Sequence, residues 1–248
     1  MAKYDAIGRT YASTRRTDPR IAAPIHAALG AARRIVNIGA GTGNYEPADR
    51  ALVALEPSIT MLRQRDRNAA PAVQGVAENL PFPDDAFDTA LAILTTHHWA
   101  DLDAGLCEMQ RVAPRQVIFF FDVDVQQDLW LVDDYFPEIY ALPTEQTAPG
   151  AARFRAALAV QRIDVVPVPA DCIDGFAGCY WGRPEMYLDP EVQAGMSCFA
   201  QLDPDAVARG TEQLRRDLES GAWDERHGHL RTLTEIDLSY RVLVAGLP

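Results

Sequence analysis

The sequence predicts an α/β fold in which helices cover both faces of one largely parallel sheet. Two observations support this prediction. Continuous apolar runs, typical of buried parallel strands, recur along the chain, and helix-like stretches separate them. In addition, the 248 residues are enough to bury the core of one large domain.

Seven segments are predicted to be strands. In chain order they read RIVNIG, LVALE, PAVQGVA, FDTALAILT, QVIFFFDVD, IDVVPVPAD and SYRVLVAGL. Between the fourth and fifth strands, DAGLCEMQRVA places Leu106, Met109 and Val112 at helical spacing. Strands that alternate with helices favour right-handed crossovers, and therefore a three-layer, seven-stranded sheet.

Two segments exceed what such a sheet needs. Residues 1–30 are predicted to be helical and amphipathic, with Gly30 as the helix stop. Residues 175–237 lie between the sixth and seventh strands, and they include a predicted helix capped by Asp203 and closed by Gly221. We therefore expect a single domain over residues 1–248, with N-terminal helices and a helical cap inserted between strands six and seven.

Composition argues against several classes of function. The net charge of −12 and the scattered basic residues do not fit a nucleic-acid partner. The four cysteines form no C-x-x-C pair, and His227 and His229 have no neighbouring ligand type, so no metal site is expected. No apolar run reaches the ~20 residues of a membrane span, and the N-terminus lacks a signal-peptide apolar segment. We expect a cytoplasmic protein with no membrane partner.

A glycine-rich turn follows the first strand. The residues GAGTG place Gly39, Gly41 and Gly43 at alternate positions, where glycine permits a positive φ or the close approach of a ligand. The dinucleotide fingerprint G-x-G-x-x-G needs a third glycine where this chain has Asn44. Glu56 ends the second strand, where a carboxylate can accept hydrogen bonds from both ribose hydroxyls. The turn predicts a nucleoside cofactor that lacks a pyrophosphate.

The connection after this turn is too short for a long helix. About eight residues separate Gly43 from the second strand, and Pro47 is among them. Proline is tolerated in the first turn of a helix but not in its interior. A long helix dipole is therefore not available to bind a diphosphate, which favours a cofactor without phosphates.

Further motifs strengthen this interpretation: EPS at the end of the second strand, AENLPF after the third, and FD before the fourth. Together with GAGTG, they resemble the class I S-adenosylmethionine-dependent methyltransferases, particularly the small-molecule group, over roughly residues 30 to 125. The resemblance implies a Rossmann-like sheet, S-adenosyl-L-methionine as cofactor, and methyl transfer to an oxygen, nitrogen or carbon of a small organic molecule.

The resemblance also implies which residues bind the cofactor. The glycine turn would pass under its methionine and ribose, and Glu56 would hold the ribose hydroxyls. An Asp that often precedes the A-E pair in this family is Val76 here, so the backbone or Glu78 would read the adenine amino group. The implied cofactor-binding residues are Gly39, Ala40, Gly41, Gly43, Glu56, Pro57, Ser58, Met61, Ala77, Glu78, Leu94 and Thr95.

Candidate catalytic residues follow the fourth strand in the segment TTHHWAD, at the sheet edge where open α/β folds bind ligands. His97 and His98 are candidate general bases, because imidazole is the usual base near neutral pH. A base is needed only when the acceptor is a hydroxyl or an amine. The alternative is that one of the histidines packs against or caps the next helix.

Candidate acceptor-binding residues lie in the two extra segments. Tyr4 and Tyr11 are seven residues apart and share a helix face, which would fold over the cofactor as in similar methyltransferases. Trp181 and Arg183 lie in an aromatic-rich stretch of the insertion, which suits a flat organic substrate with a carboxylate. The alternative is that these aromatic residues anchor the cap to the body of the protein. The cap and the N-terminal helix are expected to roof a pocket over the methyl group.

Two other functions stay open at this point. A nicotinamide-dependent oxidoreductase is disfavoured by the missing third glycine and the truncated helix. A non-catalytic, methyltransferase-like binding protein is disfavoured by the intact Gly39, Gly41 and Glu56.

Overall fold

The computed structural model describes residues 15–125 and 129–246. Tyr4 and Tyr11, which were predicted to line the active site, lie outside these described residues. The strands are β1 (Arg34–Ile38), β2 (Ala51–Glu56), β3 (Ala72–Gln74), β4 (Thr89–Ile93), β5 (Arg115–Phe121), β6 (Val160–Val165), β7 (Val168–Pro169), β8 (Glu235–Ile236) and β9 (Tyr240–Gly246). The helices are α1 (Pro19–Ala28), α2 (Ile59–Arg63), α3 (Leu102–Val112), α4 (Pro143–Gln146), α5 (Ala151–Ala157), α6 (Pro190–Ala194), α7 (Pro204–Ser220) and α8 (Ala222–His227).

Seven of the strands form one sheet in the order β3-β2-β1-β4-β5-β9-β6. The strands from β3 to β5 are parallel, and β9 runs antiparallel to both of its neighbours. The predicted seven-stranded α/β fold is thus confirmed. The sixth strand is shorter at its end than predicted, because Pro167 interrupts the run and the remainder forms a separate two-stranded ribbon of β7 and β8.

Helices cover both faces of the sheet. Successive strand residues point to opposite faces, so Ile35 packs on one side with α1 and the insertions, while Val36 packs on the other with α3 and α5. The residues predicted to form the buried stripe of α3, Leu106, Met109 and Val112, are all buried. These two apolar layers fix the strand ends that carry the site.

The insertion between β6 and β9 contains the helix that the sequence predicts, α7, together with the shorter helices α6 and α8. Asp203 caps α7 by accepting from the amide of Asp205, and α7 ends at Gly221 with a φ of +83°. A second insertion, residues 129–149 between β5 and β6, was missed by the sequence prediction. It contains a π-helical turn (Leu131–Tyr135) and α4, and it packs on α7. The Trp130 ring lies 5.2 Å from that of Trp223, which joins the two insertions.

Candidate functional site

The glycine turn adopts the conformation that its sequence predicts. Gly39, Gly41 and Gly43 have φ values of +69°, +54° and +99°. A Cβ atom on Gly39 would lie 2.0 Å from Thr95 Oγ1, and one on Gly41 would lie 3.3 Å from Met61 Cε. At Gly39, the group that comes close to the backbone is therefore the Thr95 side chain of the protein itself and not a ligand. Glycine lets the turn lie directly against the residues that follow β4 and β2.

No helix follows the turn within the described residues 39–50, where the short connection and Pro47 predict at most a turn or two. A buried ion pair holds the loop instead. Arg65 Nη2 lies 2.7 Å from Glu46 Oε2, with the two side chains 5% and 8% exposed. Glu46 also accepts from Asn37 Nδ2 at 3.0 Å, and Arg65 Nη1 donates to the carbonyl of Gly41 at 3.3 Å. The two residues are distant in sequence, and no local motif predicts that they form an ion pair.

Glu56 is buried and fixed by backbone amides at the end of β2. Its Oε2 accepts from the amide of Gly41 and its Oε1 from the amide of Ser58, both at 2.8 Å. The Ser58 side chain in turn caps α2 by accepting from the amide of Met61. Because its orientation is set before any ligand arrives, the Glu56 carboxylate is a preorganised acceptor for hydroxyl groups.

A cavity of about 350 Å³ lies over the glycine turn. Ten of the twelve residues predicted to bind the cofactor line it. The exceptions are Ser58, whose side chain caps α2, and Gly43, where a Cβ atom would face the Arg65–Glu46 pair. The ten lining residues are Gly39, Ala40, Gly41, Glu56, Pro57, Met61, Ala77, Glu78, Leu94 and Thr95.

Three further residues of this cavity carry buried polar atoms whose hydrogen-bonding capacity is unused. Thr42 Oγ1, Asn44 Nδ2 and Trp99 Nε1 have no hydrogen-bond partner within residues 15–125 and 129–246. Buried polar atoms are normally satisfied, so these three are available to a bound molecule. Together with the Glu56 carboxylate and the absence of a phosphate-binding helix in this loop, they fit S-adenosylmethionine.

The edge of the cavity where adenine is expected is formed by Val76, Glu78 and Trp99. Glu78 Oε1 accepts from the amides of Ala100 and Asp101 at 2.7 and 3.2 Å. These two bonds hold the Glu78 carboxylate beside the cavity. Trp99 was not predicted to line the cavity, although it belongs to the TTHHWAD segment that carries the candidate histidines.

A second cavity, of about 450 Å³, adjoins the first. The two cavities share Arg15, Leu94 and His98 as lining residues. Most of the second cavity is built by β5, β9 and the two insertions. Its position beyond the end of β4 is the place where an acceptor would meet the cofactor.

The two candidate histidines lie at this junction. They form a short 3₁₀ turn (Thr96–His98), in which the amide of His98 donates to the carbonyl of Thr95 at 2.8 Å. The imidazole rings are 3.9 Å apart between centroids. His98 lines both cavities, whereas His97 lines only the second. His98 is therefore the better placed of the two to act on an acceptor.

A buried charged cluster closes the other side of the junction. Asp174 is fully buried and accepts from Arg15 Nε at 2.7 Å and from the Tyr45 hydroxyl at 2.6 Å. Burial, and then the Asp174 charge, raise the pKa of Tyr45 well above its ordinary value, so this phenol stays neutral. The cluster joins the segment before α1, the glycine turn and the insertion. It was not found from the sequence, where the three residues lie far apart.

Two of the predicted acceptor-binding residues lie elsewhere. Trp181 is fully buried, and its indole Nε1 donates to the carbonyl of Val168 at 3.0 Å. Arg183 donates to the carbonyls of Cys172 and Cys179 and stacks on a tyrosine ring. Neither is among the lining residues of the two adjoining cavities. Both anchor the insertion, because Trp181 Nε1 and Arg183 Nη2 donate to backbone carbonyls.

Of the two alternating histidines His227 and His229, His227 has a packing role. His227 Nε2 lies 2.8 Å from Asp134 Oδ2, which links α8 to the second insertion. The described residues contain no group of three or more side chains placed to hold a metal ion. They also contain no helix that is both long and apolar enough to cross a membrane.

Comparison with known proteins agrees with this geometry. Residues 36–121 match the family model described as a methyltransferase domain. A solved structure from Anabaena variabilis, described as a methyltransferase from an antibiotic biosynthesis pathway, superposes with a TM-score of 0.86. It is 34% identical, and the match covers 96% of this chain and 100% of that one.

Two curated relatives match over a shorter stretch. The methyltransferase YcgJ of Bacillus subtilis is 29% identical over 119 residues, covering 44% of this chain and 43% of that protein. The demethylmenaquinone methyltransferase of Corynebacterium kroppenstedtii is 27% identical over 130 residues, covering 44% of this chain and 52% of that protein. The aligned region thus spans about half or less of these relatives. The match along the whole Anabaena chain settles the family: this chain belongs to the class I S-adenosylmethionine-dependent methyltransferases.

Proposed function

We propose that this protein transfers a methyl group from S-adenosylmethionine to a small organic molecule. The observation that carries the proposal is the pair of adjoining cavities that share Leu94, His98 and Arg15. One cavity has the residues that fit the cofactor, and the other is large enough for a small acceptor. A reacting atom in the second cavity would meet the methyl group at the shared residues.

S-adenosylmethionine, when bound, supplies a methyl group that a positively charged sulfonium already activates. The protein's task is therefore to align the acceptor with this group and to exclude water. We assign the ribose hydroxyls to Glu56, whose carboxylate is oriented by two amides. We assign the floor beneath the methionine to the glycine turn, where side chains would strain the backbone.

We propose His98 as the general base when the acceptor is a hydroxyl or an amine. It lines both cavities, which supports a role in taking the acceptor's proton beside the cofactor. An acceptor that is a carboxylate or an activated carbon would not need this base. The close ring of His97 would then orient or shield its neighbour.

We further propose that the whole chain acts as one domain whose two insertions form the cap over the acceptor. The second insertion supplies Ile139 and Glu145 to the acceptor cavity, and the 175–237 insertion supplies Phe176 and Met196. This arrangement would isolate the reaction from solvent. The net charge of −12 supports a small-molecule partner rather than a nucleic acid, and a cytoplasmic location stays a prediction.

The experiment that tests this function is transfer of a radiolabelled methyl group from S-adenosylmethionine into a panel of phenols, amines and carboxylic acids. We expect label in at least one class, and loss of that label on addition of S-adenosylhomocysteine. Label in no class, from a protein that binds S-adenosylhomocysteine, would favour the non-catalytic alternative. Binding of NADH in the same cavity would favour the oxidoreductase alternative.

A further inference from the structure

The acceptor cavity has a wall that is mainly hydrocarbon. Side chains from the sheet and from both insertions form it, and the largest are Phe120, Phe121, Phe176, Met196, Leu238 and Tyr240. A ligand rich in hydroxyl or amide groups would lose its hydration against this wall without gaining hydrogen bonds, which costs free energy. An apolar ligand would gain the free energy of burying its surface.

Four charged or histidine side chains line the acceptor cavity: Arg15, His97, His98 and Glu145. His98 and Arg15 stand at the junction with the cofactor cavity, and His97 is adjacent. Helix α4 packs on the 3₁₀ turn that carries both histidines, and it brings Glu145 into the lining. The charge of Arg15 is balanced by its ion pair with Asp174. The junction beside the cofactor cavity is therefore polar, and the rest of the lining is mainly apolar, with further polar groups at Tyr140, Gln146, Ser197 and Tyr240.

We propose, on the basis of the function given above, that the acceptor is a predominantly hydrophobic molecule with its accepting group at one end. The accepting hydroxyl or amine lies against His98, and the hydrocarbon body fills the space between the sheet and the insertions. This orientation follows because, of the described residues, Arg15 and His98 are the ionisable side chains that line both the acceptor cavity and the cofactor cavity. Amino acids, sugars and nucleotides would not satisfy such a cavity.

Gly178 packs against the apolar wall of the acceptor cavity, so a larger residue at this position is expected to narrow the cavity. A Cβ atom on Gly178 would lie 3.0 Å from Leu238 Cδ1 and 3.2 Å from Tyr240 Cε2, two residues of the cavity wall. A side chain at position 178 would press against both Leu238 and Tyr240. Gly178 lines the acceptor cavity but is not among the lining residues of the cofactor cavity. Its effect should therefore be confined to the acceptor.

The test uses 2-naphthol, phenol and inositol as probes, titrated by calorimetry into the full chain with and without S-adenosylhomocysteine. We expect 2-naphthol to bind about tenfold or more tightly than phenol, because its second ring buries additional apolar surface. We expect no measurable binding of inositol. Equal affinity for phenol and 2-naphthol, or a preference for inositol, would overturn the proposal.

Two variants then locate the probe. Gly178→Ala and Gly178→Val should weaken 2-naphthol binding progressively, with valine reducing it about tenfold or more, while affinity for S-adenosylhomocysteine stays within about twofold. The matched control is Gly182→Ala, whose added Cβ atom would meet nothing closer than 3.6 Å and should change neither affinity. Parent-like binding of 2-naphthol by a folded Gly178→Val protein would refute the role of Gly178. Should valine prevent folding, Gly178→Ala carries the same comparison.

The outcomes separate this inference from the proposed function. A protein that binds S-adenosylhomocysteine but prefers polar probes would keep the function and lose the acceptor class. A protein that binds 2-naphthol but no S-adenosylhomocysteine would lose the function, and the cavity would serve another ligand.

Discussion

Replacing Asp174 with asparagine should lower the free energy of unfolding by about 3–5 kcal/mol. Asp174 is fully buried and accepts hydrogen bonds from Arg15 Nε, Arg15 Nη2 and the Tyr45 hydroxyl at 2.7, 3.1 and 2.6 Å. Asparagine offers one acceptor oxygen, and its amide group would face donors. The change leaves the Arg15 guanidinium, whose side chain is only 9% exposed, without its counter-charge. Removing one partner of a buried pair typically costs ~3–5 kcal/mol.

The assay is urea denaturation followed by tryptophan fluorescence, with the midpoint and slope compared between variants. The control is Asp171→Asn, which removes a carboxylate that is 81% exposed and paired with Arg20 at the surface. Exposed pairs contribute little, so this midpoint should stay close to that of the parent. A loss below about 1 kcal/mol for Asp174→Asn, or equal shifts for the two variants, would refute the argument. Because Arg15 lines both cavities, a folded Asp174→Asn protein should also bind S-adenosylhomocysteine less tightly.

Three further predictions follow from named contacts. With a hydroxyl or amine acceptor, His98→Ala should lower kcat about 10²–10⁴-fold in steady-state assays, whereas a loss of that size with a carboxylate acceptor would contradict the assigned role. Trp181→Ala should destabilise the fold by about 3–5 kcal/mol in urea because Trp181 is fully buried, and a raised KM at parental stability would restore its predicted contact with the acceptor. The hydrogen bond from Arg20 lowers the pKa of Asp18 from 3.8 to about 2, so its stabilising contribution is present above pH 3.8 and is lost as the pH falls towards 2. Acid unfolding of Asp18→Asn should therefore depend less on pH in that interval, and a parallel acid-unfolding curve would argue against this contribution.

Most residues that line the first cavity could be predicted because they follow strand ends in chain order. The glycine turn after β1, Glu56 after β2 and Leu94 after β4 meet at one edge of the sheet once the strands are parallel. Individual residues predicted the local structure here: the glycines predicted positive φ values, and Pro47 predicted that no long helix follows the turn.

The contacts that support the site could not be predicted in this way. The pairs Glu46–Arg65 and Arg15–Asp174 join residues that are distant in sequence, and their pairing depends on how loops pack. The aromatic content of the 175–237 insertion suggested a ligand contact at Trp181, yet composition does not reveal which way a side chain points. Trp181 faces the core, while Phe176 from the same insertion faces the acceptor cavity.

The second insertion was missed for a related reason. Its helical elements in residues 129–149 are short, and a helical crossover between β5 and β6 is already expected in a parallel sheet. Its part in enclosing the acceptor cavity is shown by the residues that it contributes to the lining, such as Ile139 and Glu145, and by the packing of Trp130 on Trp223.

The most direct test of this account is calorimetric titration of the chain with S-adenosylhomocysteine, for the parent, Glu56→Ala and the control Glu212→Ala. Glu212 is an exposed residue of α7, more than half of whose side-chain surface is accessible. We predict one saturable site per chain in the parent and the control, with no competition by NADH. Glu56→Ala should bind about 5–150-fold more weakly, equivalent to the ~1–3 kcal/mol cost of leaving the ribose hydroxyls unpaired. Failure of the parent to bind S-adenosylhomocysteine, or parental affinity in Glu56→Ala, would contradict the assignment of this cavity to the methyl donor.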